Sequence, residues 1–495
     1  MYVMNRNKFN IPALLVLIFF MSSCEKDLLN PVPKSILTTV NAYNSAKSMN
    51  LSVLGTYSSL QARVPTDYEL MEVPSGNMWA AYFVTPGLDE ISTLSVSPQN
   101  EILNSYWKAN YQGIFRANTV LAYIDKPTDY ATGEKDQYIG EAEFLRAKFY
   151  FDLVRIFGGV PAITKIVTAD DSRNIPRASE EDIYNLITED LIDAVGKLPQ
   201  PSSIAWGRAS KAAAVALLAK VYVYRKDWQN AKKYLDELFS EFNYSLVPDY
   251  GELFNIATEQ NSEAIFSLPY VAGTNGQSLT YALAPIGGIL DTLNNGSRIG
   301  RPTWDLRSAF QSGDTRLVTT IRDEVLPYNH KPGDAPVWYP YFNKWITPSD
   351  PNSSGLDIPV LRLADMILLD AETVYNLGQP QAALDEINKV RERAFHDNSH
   401  DYTMNDIPDK DAFYDKLLLE RRLELAVENN RWFDLVRTGR FVSVIQNIKG
   451  DYSSTTGTGA VTIPIHAKDY MKYFPIPQEQ IDLAAKGVLT QNDGY

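Results

Sequence analysis

The feature that most narrows the fold of this 495-residue chain is a recurrence of apolar side chains at three- and four-residue steps, segment after segment. Trp107, Ile114 and Leu121 mark one segment, and Ala142, Leu145, Phe149, Leu153 and Ile156 mark the next, which stops at Gly158-Gly159-Val160-Pro161. Stripes at that spacing run along one side of a helix and need a neighbour to cover them, while Gly with Pro ends the helix. Ser179 caps a third segment running towards Leu198. Ala214, Leu217, Val221 and Tyr224 form a fourth, which turns at Lys226-Asp227 into another carrying Ala231, Leu235 and Leu238. Two helices around a tight turn make a hairpin, and Tyr222 with Ala231 has the spacing of the packing positions in a tetratricopeptide unit. Ala371, Val374, Gly378, Ala383 and Ile387 mark a second such unit, and Leu418, Leu425 and Trp432 place a last helix at heptad spacing.

The expected class is therefore mainly α: a tetratricopeptide-like helical hairpin scaffold over about 101–239 and 361–440, with a large irregular loop-rich region and minor β-strands. A further helix is expected from Asn41 to Gln61. Residues 65–100 break into Pro, Gly, Ser and Thr with scattered aromatics, and 240–360 is turn-rich with short apolar runs such as Ala264-Ile265-Phe266-Ser267-Leu268. Long loops of this kind are where ligands are commonly met.

The N-terminus has the three parts of a secretory signal: Arg6 and Lys8, an apolar run from Ile11 to Met21, then Ser22-Ser23-Cys24. The apolar run is about half the roughly 20 residues a spanning helix needs. Residues 1–23 thus read as a lipoprotein signal peptide and Cys24, the only cysteine, as the lipidated new N-terminus. Residues 24–37, with Pro31 and Pro33, form a tether, and 38–495 are expected to form a single domain. A single cysteine excludes disulfides and cysteine metal sites.

Losing the two positive charges Arg6 and Lys8 would move the formal net charge from −14 to −16. No Lys/Arg-rich tract compensates, so a nucleic-acid partner is set aside. Of the four histidines, His396 and His400 are four apart, but Asp397-Asn398-Ser399 between them reads as a turn. Gly457-Thr458-Gly459 begins like a dinucleotide loop without completing one, and no cofactor is expected. Glu141, Arg146, Glu420, Arg421, Arg422, Glu424 and Asp434 read as ion pairs at helical neighbour spacing rather than as a catalytic carboxylate pair.

Several strings then coincide, in order, with one family. They include Tyr106-Trp107 with Ile114, Ala117 and Asn118, and Gly140-Glu141-Ala142-Glu143-Phe144-Leu145-Arg146-Ala147 running through Tyr150-Phe151-Asp152-Leu153. Gly207-Arg208-Ala209-Ser210-Lys211, Asp357 to Asp365, Glu420 to Leu425, Arg431-Trp432-Phe433-Asp434-Leu435, Phe474-Pro475-Ile476-Pro477 and the closing Gln491 to Tyr495 follow. In these strings the chain resembles the SusD/RagB family of Bacteroidetes outer-membrane lipoproteins. The resemblance implies a non-enzymatic, surface-exposed protein held in the outer membrane by its lipid. Such a protein binds an oligosaccharide or polysaccharide nutrient and delivers it to a SusC-like TonB-dependent transporter. A peptide-binding member of the same family and a helical glycoside hydrolase are the alternatives.

The family's binding aromatics correspond to the loop Ser75 to Phe83, with Asn77, Trp79 and Tyr82, and its second binding region to Tyr270 through Arg301, with Tyr281, Asn295, Arg298 and Arg301. Flat rings stack on sugar faces, and planar amide and guanidinium groups pair with hydroxyls. The chain departs from the family where Asn295-Gly296-Ser297-Arg298-Ile299-Gly300 carries no aromatic. Burial under the loop is the competing reading for Trp79 and Tyr82. Trp304, Trp338 and Trp345 are the other tryptophans in the irregular stretches.

Overall fold

The computed structural model describes residues 42–80, 86–285, 300–325, 331, 333–335, 337–347, 350, 352–452, 460–462 and 465–495. The signal segment, the tether, Cys24, Tyr82, Asn295, Arg298 and Gly457 to Gly459 lie outside the described residues.

The periodic segments are helices, and each packs on its neighbour. Ala46–Ala62 (α1), closed by a capping box between Ser45 and Ser48, is followed by Val64–Met71 (α2). Next come Glu101–Tyr123 (α3), Glu134–Phe157 (α4), Glu180–Lys197 (α5), Lys211–Tyr224 (α6) and Trp228–Glu241 (α7). Asn100, Ser179, Ser210 and Asp227 each accept a hydrogen bond from a first-turn backbone N–H, and α4 ends at Gly158 with φ 71°. Helix α1 packs on α3, α3 on α4, α4 on α5, α5 on α6 and α6 on α7. Helix α6 is buried on all sides from Ala212 to Val223, so its run of alanines sits at the centre of the array rather than on its surface.

The chain then leaves the array for some 120 residues. It returns as Leu363–Asn376 (α8), Pro380–Phe395 (α9), Lys410–Glu424 (α10) and Arg431–Arg437 (α11). Helix α8 packs on α7, α9 on α8 and α10 on α9, so the array continues across the excursion. Both expected hairpins are present, and Tyr222 and Tyr234 stack at 5.7 Å across the first. No helix among the described residues is long and apolar enough to cross a membrane.

The excursion is held by two-stranded antiparallel ribbons. Met78–Trp79 (β1) and Ala264–Leu268 (β2) pair with Arg301–Pro302 (β3) and Ile358–Arg362 (β6), respectively, while Ile321–Val325 (β4) pairs with Val337–Phe342 (β5). A last pair joins Lys449–Tyr452 (β7) and Ala460–Thr462 (β8). The expected strand at Ala264 to Leu268 is thus β2, and it closes the base of the excursion against β6.

Two expectations are corrected. The stretch 65–100 is not all loop, since Val64–Met71 and Leu88–Ser92 are helical and residues from Tyr68 to Met78 are buried. The heptad through Leu418, Leu425 and Trp432 does not mark one helix. The chain breaks after Glu424, Val427 and Asn429 take positive φ of 61°, and α11 starts afresh at Arg431.

The charged residues of the family strings do form ion pairs, but across the fold rather than along one helix. Glu141 meets Arg208 at 2.8 Å, Arg146 holds Asp190 with two hydrogen bonds, and Arg421 bridges Asp365 and Asp434. Glu424 accepts from Arg362 at 2.6 Å, Arg393 at 2.5 Å and Arg316 at 3.2 Å, and all four are buried. His396 ends α9 with φ 60° and His400 stacks on Phe395, so the two histidines do not share a helix face.

Candidate functional site

The stretch after α2 is clamped from several directions. Glu72, wholly buried, accepts from the backbone N–H of Asn429 at 2.6 Å and from the Asn77 amide at 3.2 Å. Burial pushes its carboxyl up to about 7. Gly76 turns with φ 79°, and a Cβ there would lie 1.9 Å from Ile448 Cδ1, so the turn admits only glycine. Its carbonyl accepts from the Thr303 hydroxyl at 2.7 Å and from Arg422 at 3.0 Å, while Arg431 donates to the Ser75 carbonyl.

Asn77 belongs to this clamp. It is buried, its side-chain oxygen accepts from Arg422 Nε at 2.9 Å, and its NH2 donates to Glu72. The expectation that Asn77 meets a ligand is corrected: both ends of its amide are engaged inside the protein, and its role is to hold the chain that follows.

What the clamp presents is the short ribbon of β1 and β3. Trp79 stands opposite Arg301, and Met78 opposite Pro302. Residues directly opposed on antiparallel strands have Cβ atoms about 5 Å apart, so the indole and the guanidinium are neighbours on one edge. A Cβ on Gly300 would lie 2.3 Å from Met78 Cγ, so β3 reaches β1 only because glycine precedes Arg301. Strand β5 adds a second ring: the Arg301 guanidinium lies 5.5 Å from the centroid of Tyr339. Trp79, Arg301 and Tyr339 are all half-buried, each with part of its surface open to solvent.

Tyr281 sits half-buried on the short helix Leu279–Leu283. Ala284, just after it, packs on Tyr341, with Tyr339 against the same pair. Trp345 is instead a core residue, fully buried with its indole N–H donating to the Val427 carbonyl at 3.0 Å. Trp304 opens the helix Trp304–Ala309, capped by Thr303, and Asp305 in that helix pairs with Arg422 at 2.8 Å. Tyr339 stands out in the sequence, with Trp338 and Tyr341, as an aromatic among prolines, either exposed or facing the transporter, but is not placed with the ligand-binding residues; the Pro340 beside it fits a ribbon edge. The edge as a whole carries an indole face, a phenol ring and a planar guanidinium, a combination suited to stacking on one side of a ring and hydrogen-bonding its hydroxyls.

Two family profiles match the chain: residues 322–495 fit the one described as SusD family, and residues 35–223 fit the one described as starch-binding associating with outer membrane. The chain belongs to the SusD/RagB family. Its relatives include SusD-like protein P25 of Formosa agariphila, 26% identical over 539 residues that cover 98% of each chain. Starch-binding protein SusD of Bacteroides thetaiotaomicron is 23% identical, over 87% of this chain and 85% of its own. The family fold is equally evident in solved structures. A SusD-like protein from Bacteroides fragilis superposes with a TM-score of 0.78 at 24% identity, covering 92% of this chain and 98% of its own. A laminarin-binding SusD-like protein gives a TM-score of 0.72 at 24% identity, over 92% and 100% of the two chains.

Proposed function

We propose that this chain is a surface nutrient-binding lipoprotein, fixed in the outer membrane through Cys24. In this reading it captures an oligosaccharide or polysaccharide without breaking it and hands it to a SusC-like TonB-dependent transporter. The observation that carries the reading is the paired edge of β1 and β3, where Trp79 and Arg301 stand side by side with Tyr339 behind them. Such an edge binds a sugar by stacking and forked hydrogen bonds and supplies no proton transfer of its own.

The names of relatives that bind starch and laminarin support a glucan as the first ligand to try. The carboxylates that could have served acid-base chemistry support the passive role, since Glu141, Glu420, Glu424 and Asp434 are buried and held by arginines. Tyr82, Asn295 and Arg298 complete the proposed contact set alongside Tyr281.

Isothermal titration of the mature chain against starch-derived, β-glucan and other oligosaccharides tests the reading. Trp79→Ala and Arg301→Ala are each expected to weaken binding about tenfold, corresponding to a lost stacking or charge-assisted contact of about 1.4 kcal/mol. Unchanged affinity in both variants would move the site elsewhere. Release of reducing sugar during incubation would make the protein a hydrolase, and binding of peptides alone would select the family's other ligand class.

A further inference from the structure

A cavity of about 70 Å³ lies where α1, α2, α4 and α6 meet the chain at 358–361 and 428–430, and none of its lining residues belongs to β1 or β3. Its wall runs against the charge of the whole molecule, which is −14. Arg63, Lys148 and Arg155 all converge on one buried carboxylate, Asp152. Two other charges of the wall are balanced elsewhere: Lys220 meets Asp365 at 2.8 Å, and Glu428 meets Arg362 at 2.7 Å and Lys344 at 2.9 Å. That leaves three cations facing two carboxylates, the second being Asp67.

The pairing of Asp67 is poor. Its Oδ1 lies 3.3 Å from Arg63 Nε, yet neither atom makes a hydrogen bond, and the hydroxyl of buried Tyr68 on the same wall also has no hydrogen-bond partner within the protein. A net positive charge with unmatched donors is expensive inside a protein unless an acceptor joins it. Asp67, Lys148, Pro359 and Asn429 are each partly exposed, so the cavity has a mouth.

We propose that this cavity binds a small oxyanion, a phosphate or a carboxylate, either free or at the end of a larger ligand, with Lys148, Arg63 and the Tyr68 hydroxyl as its donors. A water molecule needs about 10–15 Å³ of such space, so the cavity takes a group of a few heavy atoms and excludes a sugar ring. Charge sets the pH response. Burial pushes Asp67 up to about 6 against the pull of Arg63, Lys148 and Arg155 and with Asp152 beside it; burial and the neighbouring Arg63 and Arg155 bring Lys148 down to about 8 despite Asp152. The wall therefore carries one excess positive charge at neutral pH, two once Asp67 is protonated, and none once Lys148 loses its proton.

Calorimetric titration of the mature chain with inorganic phosphate, acetate and glucuronate tests this. Saturable one-to-one binding by phosphate or acetate, about tenfold tighter at pH 5.5 than at pH 8.5, is the expected result; binding by glucuronate alone would identify the anion as the end of a sugar acid. Asp67→Asn should tighten binding and flatten its pH dependence between 5 and 7, a change that a purely structural Asp67 would not produce. Lys148→Met should abolish binding while circular dichroism and melting stay native. Failure of all three anions to saturate, or unchanged affinity in Asp67→Asn, overturns the proposal, and the latter decides the matter if Lys148→Met does not fold.

Discussion

Glu424→Gln is the perturbation whose size follows most directly from the geometry. The wild-type carboxylate accepts from three buried guanidiniums, but they do not depend on it equally. Arg316 keeps Asp314 at 2.8 Å and Glu420 at 2.6 Å, and Arg362 keeps Glu263 at 2.8 Å and Glu428 at 2.7 Å. Among the described residues Arg393 keeps one carboxylate, Glu263 at 3.3 Å, with the Val247 carbonyl at 3.5 Å, so it is the cation left poorly paired. Breaking one buried pair costs about 3–5 kcal/mol, and the retained partners put this case near ~3 kcal/mol. A melting entropy of roughly 2.1 cal/mol/K per residue amounts to about 1 kcal/mol/K for a chain of 495 residues, so the melting temperature should fall by about 3 °C at pH 7.

The pH dependence supplies a second check on the same variant. Although burial opposes it, Arg393, Arg362 and Arg316 hold the Glu424 carboxyl well below its ordinary value of 4.5. A depressed folded-state value means that the unfolded chain takes up the proton first. The contribution of Glu424 is therefore complete above pH 4.5 and shrinks below it, by about 1.4 kcal/mol per pH unit once fully engaged. Scanning calorimetry of wild type and variant at pH 7 and pH 3.5 should show the gap narrowing at the lower value. A loss under 1 °C at pH 7, or a gap that does not change with pH, would refute the account of Glu424 as the charge centre of this network.

Other outcomes follow from single contacts. A Cβ on Gly113 would lie 2.2 Å from Cζ of the buried Phe149 ring, so Gly113→Ala should destabilise by about 1–2 kcal/mol despite better helix propensity, and Phe149→Leu in the same chain should restore part of the loss in a double-mutant cycle. Burial and the adjacent Asp193 raise the Glu143 carboxyl to about 8. Its folded form thus holds a proton that the unfolded chain releases near 4.5, and stability falls as pH rises between those values. Glu143→Gln should melt higher than wild type at pH 9 and match it at pH 4.

How much of this was legible in the sequence depended on how local the cause was. Helices α3 to α9 announce themselves because the stripe, the cap at Ser179, the turn at Lys226-Asp227 and the stop at Gly158 all lie within a few residues of what they control. The break after Glu424 did not, because Leu418, Leu425 and Trp432 keep their apolar spacing through a turn whose positive φ falls on Val427 and Asn429. Asn77 and Trp79 are two residues apart in one stretch, yet one is enclosed and the other sits on an open edge. The difference is made by Arg422 and Thr303, hundreds of residues away, which no local pattern reveals. The ion pairs show the same limit: the charged residues were recognisable as partners, but most of their mates sit on other helices.

The chain's departure from the helical array and its return meet at the β2–β6 ribbon, with α8 resuming on α7. The ends of that excursion are thus fixed a strand's width apart whatever lies between them. Loop-closure entropy rises only by about 0.6 kcal/mol for each doubling of length. Lengthening an exposed turn within this segment therefore costs the helices little, so long as Arg316, Lys344 and Trp345 keep their buried partners at Glu420, Glu424, Glu428 and Val427.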